Sequence, residues 1–338
     1  MMFAGVVWAL IAGVMLGLYA LPEKYTKGYA YENTWGLFFI LTMFVVPVIA
    51  SYVLLGGLQV FGMVDSSIIL KMAIASVLWG TGVMMWGKAI NHIGLSLGFS
   101  LFIGTVILVG SIIPFFVNGI PPSNVFMTVL GGLAVVLAGV VLNGNAGLVR
   151  EKDEKDGDAP GNETGGSMLT GILIAIVGGL LATGFSFANA VGAEPLGAAV
   201  AELGLAPWKT AVAVMFPIFI SGGVVMGLYF AQQLTVKKRW ADFKTVHVVP
   251  NFFLILIMAI FHYTASALFA YAASKLGDAG NTVGYAIFNA SCVCTAIMSG
   301  IITGEWKRAS GRAKALLYAG LGCMVIGIII IASGNGLG

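Results

Sequence analysis

A few polar and aromatic side chains interrupt the long apolar stretches of this chain, and they are its candidates for chemistry. A polar group within hydrocarbon is costly, so its presence there predicts a functional role. Aromatic rings beside amide and hydroxyl groups suit a sugar, because a pyranose stacks its C–H face on a ring and forms hydrogen bonds through its edge. We therefore expect the solute to contact Tyr19, Trp79, Ser186, Asn189, Tyr263, Tyr285 and Asn289.

Each aromatic candidate has a structural alternative. A single Trp or Tyr in such a chain also serves as core packing or as an anchor at the membrane surface. Trp35 follows directly after the start of an apolar stretch, and we interpret it as an anchor. The sharpest test is at Asn189 and Asn289, where alanine is expected to abolish uptake of the solute.

Two titratable residues are candidates for carrying a proton. His262 is the only histidine deep within an apolar stretch, and imidazole titrates near neutral pH. Its alternative role is a neutral side chain that is hydrogen-bonded between helices. The middle of every apolar stretch lacks Asp and Glu, so the carboxylate candidate is Glu32, at the start of the second stretch. Proton coupling is thus expected at His262 or Glu32.

The sequence contains no motif that indicates an enzyme or a bound cofactor. Walker A, GxSxG and HExxH patterns are all absent. Cys292, Cys294 and Cys323 lie in apolar stretches and are expected to pack as small apolar residues rather than to bind a metal. We expect a protein that is not an enzyme and that needs no cofactor.

Composition places nearly the whole chain in a lipid bilayer. It is 59% hydrophobic and only 9% charged, whereas a soluble domain has about 25% charged residues. A helix needs about 20 apolar residues to cross a membrane. Ten stretches reach that length, at about 3–22, 34–62, 67–90, 94–117, 123–147, 167–192, 208–233, 248–274, 280–303 and 314–333.

The basic residues orient these ten predicted spans. Of the 17 Lys and Arg residues, all but Lys71, Lys209 and Lys275 lie in the odd-numbered connections or at their edges. The positive-inside rule places those connections in the cytoplasm, so both termini are expected outside. Contact with headgroups explains these charges, and nucleic-acid binding is not predicted.

The chain divides into two similar halves, 1–149 and 167–338, joined by a hydrophilic linker at 150–166 that is expected in the cytoplasm. Residues 94–102 align with 280–288 without a gap, and the second span of each half carries a proline. Five spans per half would insert the second half upside down, as in transporters that work by alternating access. The alternative is that glycine-rich helices resemble one another by chance. We expect the cavity between predicted spans one, three, six, eight and nine.

Several short motifs, in order, resemble those of the L-rhamnose–proton symporter family. They include Tyr19-Ala20 with Pro22-Glu-Lys24, Trp79-Gly80-Thr-Gly82, Gly184-Phe-Ser-Phe-Ala-Asn189 and Gly304-Glu-Trp306-Lys307. The similarity covers essentially the whole chain. The family has a polar Asn or Gln directly after the second of these motifs, whereas this chain has Val83.

The resemblance implies a member of the drug/metabolite transporter superfamily, with ten transmembrane helices in two inverted five-helix repeats. It implies import of L-rhamnose or a related deoxysugar with a proton, across the inner membrane of a bacterium. The alternatives are an uncoupled facilitator or an exporter of another metabolite or drug on the same fold, and a receptor that transports nothing. The expected partners are the sugar, protons and the bilayer.

Overall fold

The computed structural model describes residues 2–120, 122–155, 167–277 and 280–334, and its regular structure in these ranges is entirely helical. Nine helical segments of the described residues are long and apolar enough to cross a membrane, and a shorter apolar helix covers Leu97–Ile112. The chain is therefore an all-α integral membrane protein, as its composition predicts.

Twelve α-helices follow one another in the described part of the chain. They are α1 Met2–Leu18, α2 Tyr31–Ile40, α3 Val46–Ala50, α4 Gln59–Gly62, α5 Ser66–Asn118, α6 Ser123–Lys155, α7 Met168–Ala182, α8 Gly184–Glu202, α9 Thr210–Val236, α10 Val248–Leu276, α11 Tyr285–Ile302 and α12 Gly311–Gly334. Short 3₁₀ turns at Leu21–Tyr25, Pro207–Lys209 and Trp240–Phe243 lie in the connections.

The second membrane-crossing segment is helical but irregular. Between α2 and α3 the backbone widens into a π-helical turn at Leu41–Val45, and a second π turn at Ser51–Leu55 follows α3. Pro47 lies between them and cannot donate a backbone hydrogen bond. Pro217, which is predicted to correspond to Pro47 in the second half, lies inside α9. Such interruptions are tolerated in a membrane where neighbouring helices cover the freed backbone groups.

Helix α5 turns back on itself. In a straight helix, residues 86 and 102 would be about 24 Å apart. The Trp86 and Phe102 rings are nevertheless stacked with centroids 5.8 Å apart. A Cβ atom on Gly98 would lie 3.5 Å from the backbone nitrogen of Ile90. The chain therefore reverses between Ile90 and Gly98, which leaves two arms side by side, residues 66–90 and 98–118.

Helix α7 packs against both arms of α5 at glycine contacts. A Cβ atom on Gly178 would lie 3.0 Å from the carbonyl oxygen of Gly82 in the first arm, and one on Gly179 would lie 2.9 Å from that of Phe102 in the second arm. Small residues let helix backbones approach closely in lipid, where packing rather than the hydrophobic effect holds helices together. Two further contacts join the halves, because α1 packs against α10 and α11, and α6 packs along α12.

Several connections rich in Lys and Arg meet at one end of the bundle, which we call the basic end. Lys24, after α1, forms an ion pair with Glu305, after α11. The side chain of Asn251, near the start of α10, donates to the carbonyl oxygen of Lys27 at 2.8 Å and accepts from its backbone N–H at 3.0 Å. The connections after α1, α9 and α11 therefore lie together, as the alternation of charge predicts.

The predicted linker at 150–166 begins as helix. Helix α6 continues to Lys155, and Asp153 accepts a hydrogen bond from the backbone N–H of Ser310 at 3.1 Å. This contact holds the end of α6 at the start of α12. Residues 156–166 lie outside the described ranges.

Candidate functional site

A cavity of about 560 Å³ lies near the basic end, between α2, the first arm of α5, α9 and the 3₁₀ turn after α1. That volume is in the range of pockets that bind small molecules. Its polar lining comprises Tyr19, Glu23, Tyr31, Glu32, Tyr229, Gln233 and Lys237, and its apolar lining includes Trp35, Phe39, Val83, Trp86 and Phe230. Hydroxyl, amide and carboxylate groups thus face aromatic rings across one cavity.

One of the two carboxylates in the cavity is neutralised by a cation. Glu32 Oε1 lies 2.5 Å from Lys237 Nζ, and the glutamate side chain is 10% exposed against 51% for the lysine. A buried carboxylate requires such a partner. The neighbouring Asn33 donates to the carbonyl oxygen of Arg239 at 2.9 Å, which fixes the start of α2 against the connection after α9.

The other carboxylate, Glu23, has a different partner. Its Oε1 atom accepts a hydrogen bond from the indole N–H of Trp35 at 2.6 Å. The Trp35 ring in turn packs edge-on against Tyr19, with centroids 6.1 Å apart, and at a tilt against Tyr31, with centroids 5.9 Å apart. Trp35 is therefore a wall of the cavity and not only a membrane anchor, which differs from our interpretation of the sequence.

His262 lies directly behind Tyr19, among aromatic rings. Its ring centroid is 5.0 Å from that of Tyr19, 5.4 Å from Phe38 and 5.5 Å from Phe219. Its Nδ1 atom is 3.1 Å from the hydroxyl of Thr42. Within the described ranges, no carboxylate lies within ion-pair distance of the imidazole. These contacts are those of a histidine that is hydrogen-bonded between helices.

Beyond His262, a continuous aromatic layer crosses the bundle, formed by Trp79, Phe185, Phe219, Phe269 and Tyr285. Trp79 lies 5.8 Å from Phe219 and 5.3 Å from Phe185, and Phe269 lies 5.5 Å from Tyr285. All five side chains are almost fully buried. The layer therefore separates the cavity from the opposite end of the bundle.

A group of buried polar residues lies on the far side of this layer. We call Ser186, Asn189 and Asn281 the amide cluster. The Asn189 amide donates to Asn281 Oδ1, and the Ser186 hydroxyl donates to the carbonyl oxygen of Gly110 at 3.1 Å. The Oδ1 atom of Asn189 is buried and has no hydrogen-bond partner. The cluster joins α8 to the second arm of α5 and to the π turn Gly280–Gly284 before α11.

The comparison with known proteins identifies the family. The family described as L-rhamnose-proton symport protein matches residues 1–338. The chain belongs to that family. Proteins named L-rhamnose-proton symporter from Salmonella paratyphi A, Salmonella typhi and Salmonella newport are each 27% identical to it over an alignment of 350 residues. The alignment covers 99% of this chain and 97% of each relative. The resemblance inferred from the short motifs is confirmed, and the family is one of transporters rather than enzymes.

In this member of the symport family, the predicted residues fall in three places. Tyr19 and Glu32 line the cavity. Trp79, His262 and Tyr263 lie in or beside the aromatic layer, where the Tyr263 hydroxyl is buried without a hydrogen-bond partner.

The remaining predicted residues lie at or beyond the layer. Ser186 and Asn189 belong to the amide cluster. Tyr285 is part of the layer, and Asn289 donates to the carbonyl oxygen of Tyr285 at 3.0 Å within its own helix. The cavity thus lies between predicted spans one, two, three and seven, whereas we expected spans one, three, six, eight and nine.

Sequence reasoning missed several residues of the site, which are Glu23, Tyr31, Gln233 and Lys237 in the cavity and Asn281 in the amide cluster. Asn281 lies inside the repeated segment 280–288, where it was treated only as part of a glycine motif. Asn281 is the single amide side chain of segment 280–288 and lies near the start of its span. That amide was the signal in the sequence that could have indicated a site residue. The cavity residues lie at the ends of spans, where polar groups are ordinary.

Proposed function

We propose that this protein imports L-rhamnose or a related deoxysugar together with a proton, by alternating access across a bacterial inner membrane. The carrying observation is the cavity near the basic end, in a chain that belongs to the L-rhamnose-proton symport protein family over its whole length. The basic end lies in the cytoplasm by the positive-inside rule, so both termini face the periplasm.

Ten transmembrane helices in two inverted repeats are part of this proposal. The reversal within α5 supports the count, because each of its two arms corresponds to one predicted span. Matched contacts support the symmetry. A Cβ atom on Gly13 of α1 would lie 2.5 Å from the carbonyl oxygen of Phe288, and one on Gly179 of α7 would lie 2.9 Å from that of Phe102. The two phenylalanines are equivalent residues of the segments that align without a gap.

The contact between α6 and α12 supports the same symmetry. Each helix carries two glycines seven residues apart, Gly132 with Gly139 and Gly320 with Gly327. A Cβ atom on Gly320 would lie 2.9 Å from the carbonyl oxygen of Gly139, and one on Gly327 would lie 2.9 Å from that of Gly132. The last helices of the two halves therefore pack on each other through equivalent residues, as a two-fold axis between them requires.

The two ends of the bundle suggest which state of the cycle this is. The cavity lies at the basic end, and the aromatic layer and the amide cluster fill the bundle beyond it. We infer an inward-facing state that releases sugar to the cytoplasm. In the outward-facing state the layer would part, and Ser186, Asn189, Tyr285 and Asn289 would meet the sugar first.

The cavity suits a deoxysugar. Tyr19, Tyr31 and Gln233 offer hydroxyl and amide groups to the sugar hydroxyls, and the Trp35 ring offers a face for the C–H groups. Val83, where the family usually has an amide, gives the lining an apolar patch that suits a methyl group. Trp79 would contact the sugar only after the aromatic layer opens. Glu32 and His262 are the residues that the sequence predicts for proton coupling.

Transport assays in liposomes test this function. Purified protein is reconstituted into liposomes loaded with a pH-sensitive dye, and L-rhamnose or another sugar is added outside. Proton symport predicts sugar-dependent acidification of the lumen. Equilibration of labelled sugar without acidification would indicate an uncoupled facilitator. No movement of sugar or proton would contradict the proposal and favour export of another metabolite.

A further inference from the structure

We propose that Glu23 carries the coupled proton, and that its hydrogen bond to the Trp35 indole transmits its protonation state to the sugar-binding wall of the cavity. This inference rests on the proposed symport of sugar and proton. The sequence patterns place Glu23 only within the motif Pro22-Glu-Lys24 and do not mark it as a proton carrier, and the family comparison names no residue.

The first argument is charge compensation. Glu32 already has a cation, because Lys237 Nζ lies 2.5 Å from it. Lys24, the residue after Glu23, is directed away from the cavity, where it pairs with Glu305 and donates to the Thr303 hydroxyl at 2.9 Å. Within the described ranges, no Lys, Arg or His nitrogen lies within 4.0 Å of Glu23. Because no protein cation pairs with the Glu23 carboxylate, we infer that a bound proton neutralises it.

The second argument is the position of Glu23 beside the sugar-binding wall. The only hydrogen bond that its carboxylate accepts from the described residues comes from the indole N–H of Trp35, at 2.6 Å. An indole N–H bonds more strongly to an anionic carboxylate than to a neutral carboxylic acid. Protonation of Glu23 therefore weakens the hydrogen bond that holds the Trp35 ring in place, and this ring contacts Tyr19 and Tyr31. Binding of the proton and placement of the aromatic wall are linked through one hydrogen bond.

Other titratable and charged groups face Glu23 from the surrounding elements. Those that line the same cavity are Tyr19 after α1, Tyr31 and Glu32 on α2, Tyr229 on α9, and Lys237 after it. On α10, His262 lies behind Tyr19, with ring centroids 5.0 Å apart. The first arm of α5 contributes only uncharged residues to the cavity, namely Val83, Met84, Trp86, Gly87 and Ile90. Glu23 is thus the carboxylate of the cavity that has no counter-ion.

The proton balance of the cycle is simple. In the outward-facing state, in which the aromatic layer has parted, a proton from the external solution joins an oxygen of the Glu23 carboxylate, which becomes a neutral carboxylic acid as sugar binds. In the inward-facing state the sugar leaves, and the proton passes to water of the cytoplasm. No covalent bond of the sugar changes, and one positive charge crosses the membrane with each sugar.

The experiment separates coupling from sugar binding. Glu23→Gln keeps the size of the side chain but cannot release a proton. One coupled proton supports roughly tenfold accumulation of sugar at a pH difference of about one unit. We expect Glu23→Gln to lower that accumulation ratio to about one, while exchange of labelled for unlabelled L-rhamnose stays within about threefold of the native rate. Glu202→Gln, at the exposed end of α8, is the matched control and is expected to keep the native accumulation ratio.

Trp35→Phe provides the second measurement. It keeps an aromatic ring but removes the N–H that stabilises the carboxylate, so the midpoint of the pH profile of exchange should move to higher pH. An unchanged midpoint, or accumulation by Glu23→Gln that equals the native value, would overturn the assignment to Glu23. Loss of coupling in Glu32→Gln or His262→Gln alone would move the proton to that residue. If the native protein exchanges no L-rhamnose, the proposed function fails first, independently of Glu23.

Discussion

The two ends of this bundle are held together by different chemistry. At the basic end, ion pairs join separate connections, with Lys24 bound to Glu305 and Glu32 bound to Lys237 beside a cavity of about 560 Å³. At the opposite end, the bundle is closed by the aromatic layer and by the neutral hydrogen bond between Asn189 and Asn281. One end uses charges near water, and the other uses uncharged polar groups that are shielded from it.

This difference suggests how each end opens. Lys24 and Glu305 are both nearly half exposed, and such an exposed ion pair contributes only about 0.2–1 kcal/mol, because water solvates both charges when it breaks. A buried amide that loses its partner costs about 1–3 kcal/mol unless another polar group replaces it. Asn189 Oδ1 already lacks a partner. The basic end can therefore open in water alone, whereas we infer that the opposite end opens when sugar hydroxyls take over the amide bonds.

The largest effect is expected from Asn189→Ala. The substitution leaves Asn281 buried without its donor and removes a proposed sugar contact, so uptake should fall by about 30-fold or more, which corresponds to roughly 2 kcal/mol. Initial rates of labelled L-rhamnose uptake, normalised to the amount of protein in the membrane, measure it.

The double variant Asn189→Ala/Asn281→Ala is the control for folding. It leaves neither amide unpaired, so thermal stability should recover relative to the single variant while uptake stays low. Native uptake by Asn189→Ala would remove the amide cluster from the transport path. It would also erase the functional contrast between the two ends.

More of the fold than of the candidate site could be predicted from the sequence. Spans of about 20 apolar residues, the prolines at 47 and 217 and the matched segments 94–102 and 280–288 are local patterns, because each helix in lipid satisfies its own backbone. The helical membrane fold followed from the apolar spans, and the family followed from the order of the short motifs. The first residues of the predicted linker, 150–155, instead continue the last turns of α6, where Asp153 contacts Ser310, and only such a contact between distant residues shows this.

The site was harder to predict because its residues depend on which spans meet. Asn189 stood out because an amide within an apolar stretch is rare. Glu23 lies in the turn after α1, and only the packing of that turn against α2 brings it to Trp35. The sequence predicts Trp35 as a membrane anchor because tryptophan is common at membrane surfaces. Sequence patterns therefore identify unusual residues within spans but not ordinary residues at their ends.

A smaller loss is expected from Glu32→Ala at the basic end. The remaining Lys237 is half exposed and can be solvated, so uptake should fall by about fivefold rather than 30-fold. The variant Glu32→Ala/Lys237→Ala removes both charges and should recover part of the rate. If Glu32→Ala were as damaging as Asn189→Ala, the basic end would depend on its charges as strongly as the opposite end depends on its amides.

Ser186→Ala tests whether every member of the amide cluster matters equally. Its hydroxyl donates to the carbonyl oxygen of Gly110, which keeps other interactions as a backbone group of α5. We expect a loss of uptake of about threefold, because removing the donor leaves one acceptor without a side-chain partner. Ser274→Ala, at an exposed site on α10, is the matched control. A loss as large as that of Asn189→Ala would place the hydroxyl in direct contact with the sugar.

The smallest effect is expected from the ion pair between Lys24 and Glu305. Both side chains are nearly half exposed, at 41% and 45%, so Lys24→Ala should change uptake by no more than about twofold at 0.15 M salt. Raising the salt concentration should reduce any difference from the native protein, since ions screen the same attraction. Asn189→Ala should show no such salt dependence, because its hydrogen bond is buried and neutral. A Lys24→Ala phenotype that is large and independent of salt would contradict the view that the basic end is held by weak, exposed charge pairs.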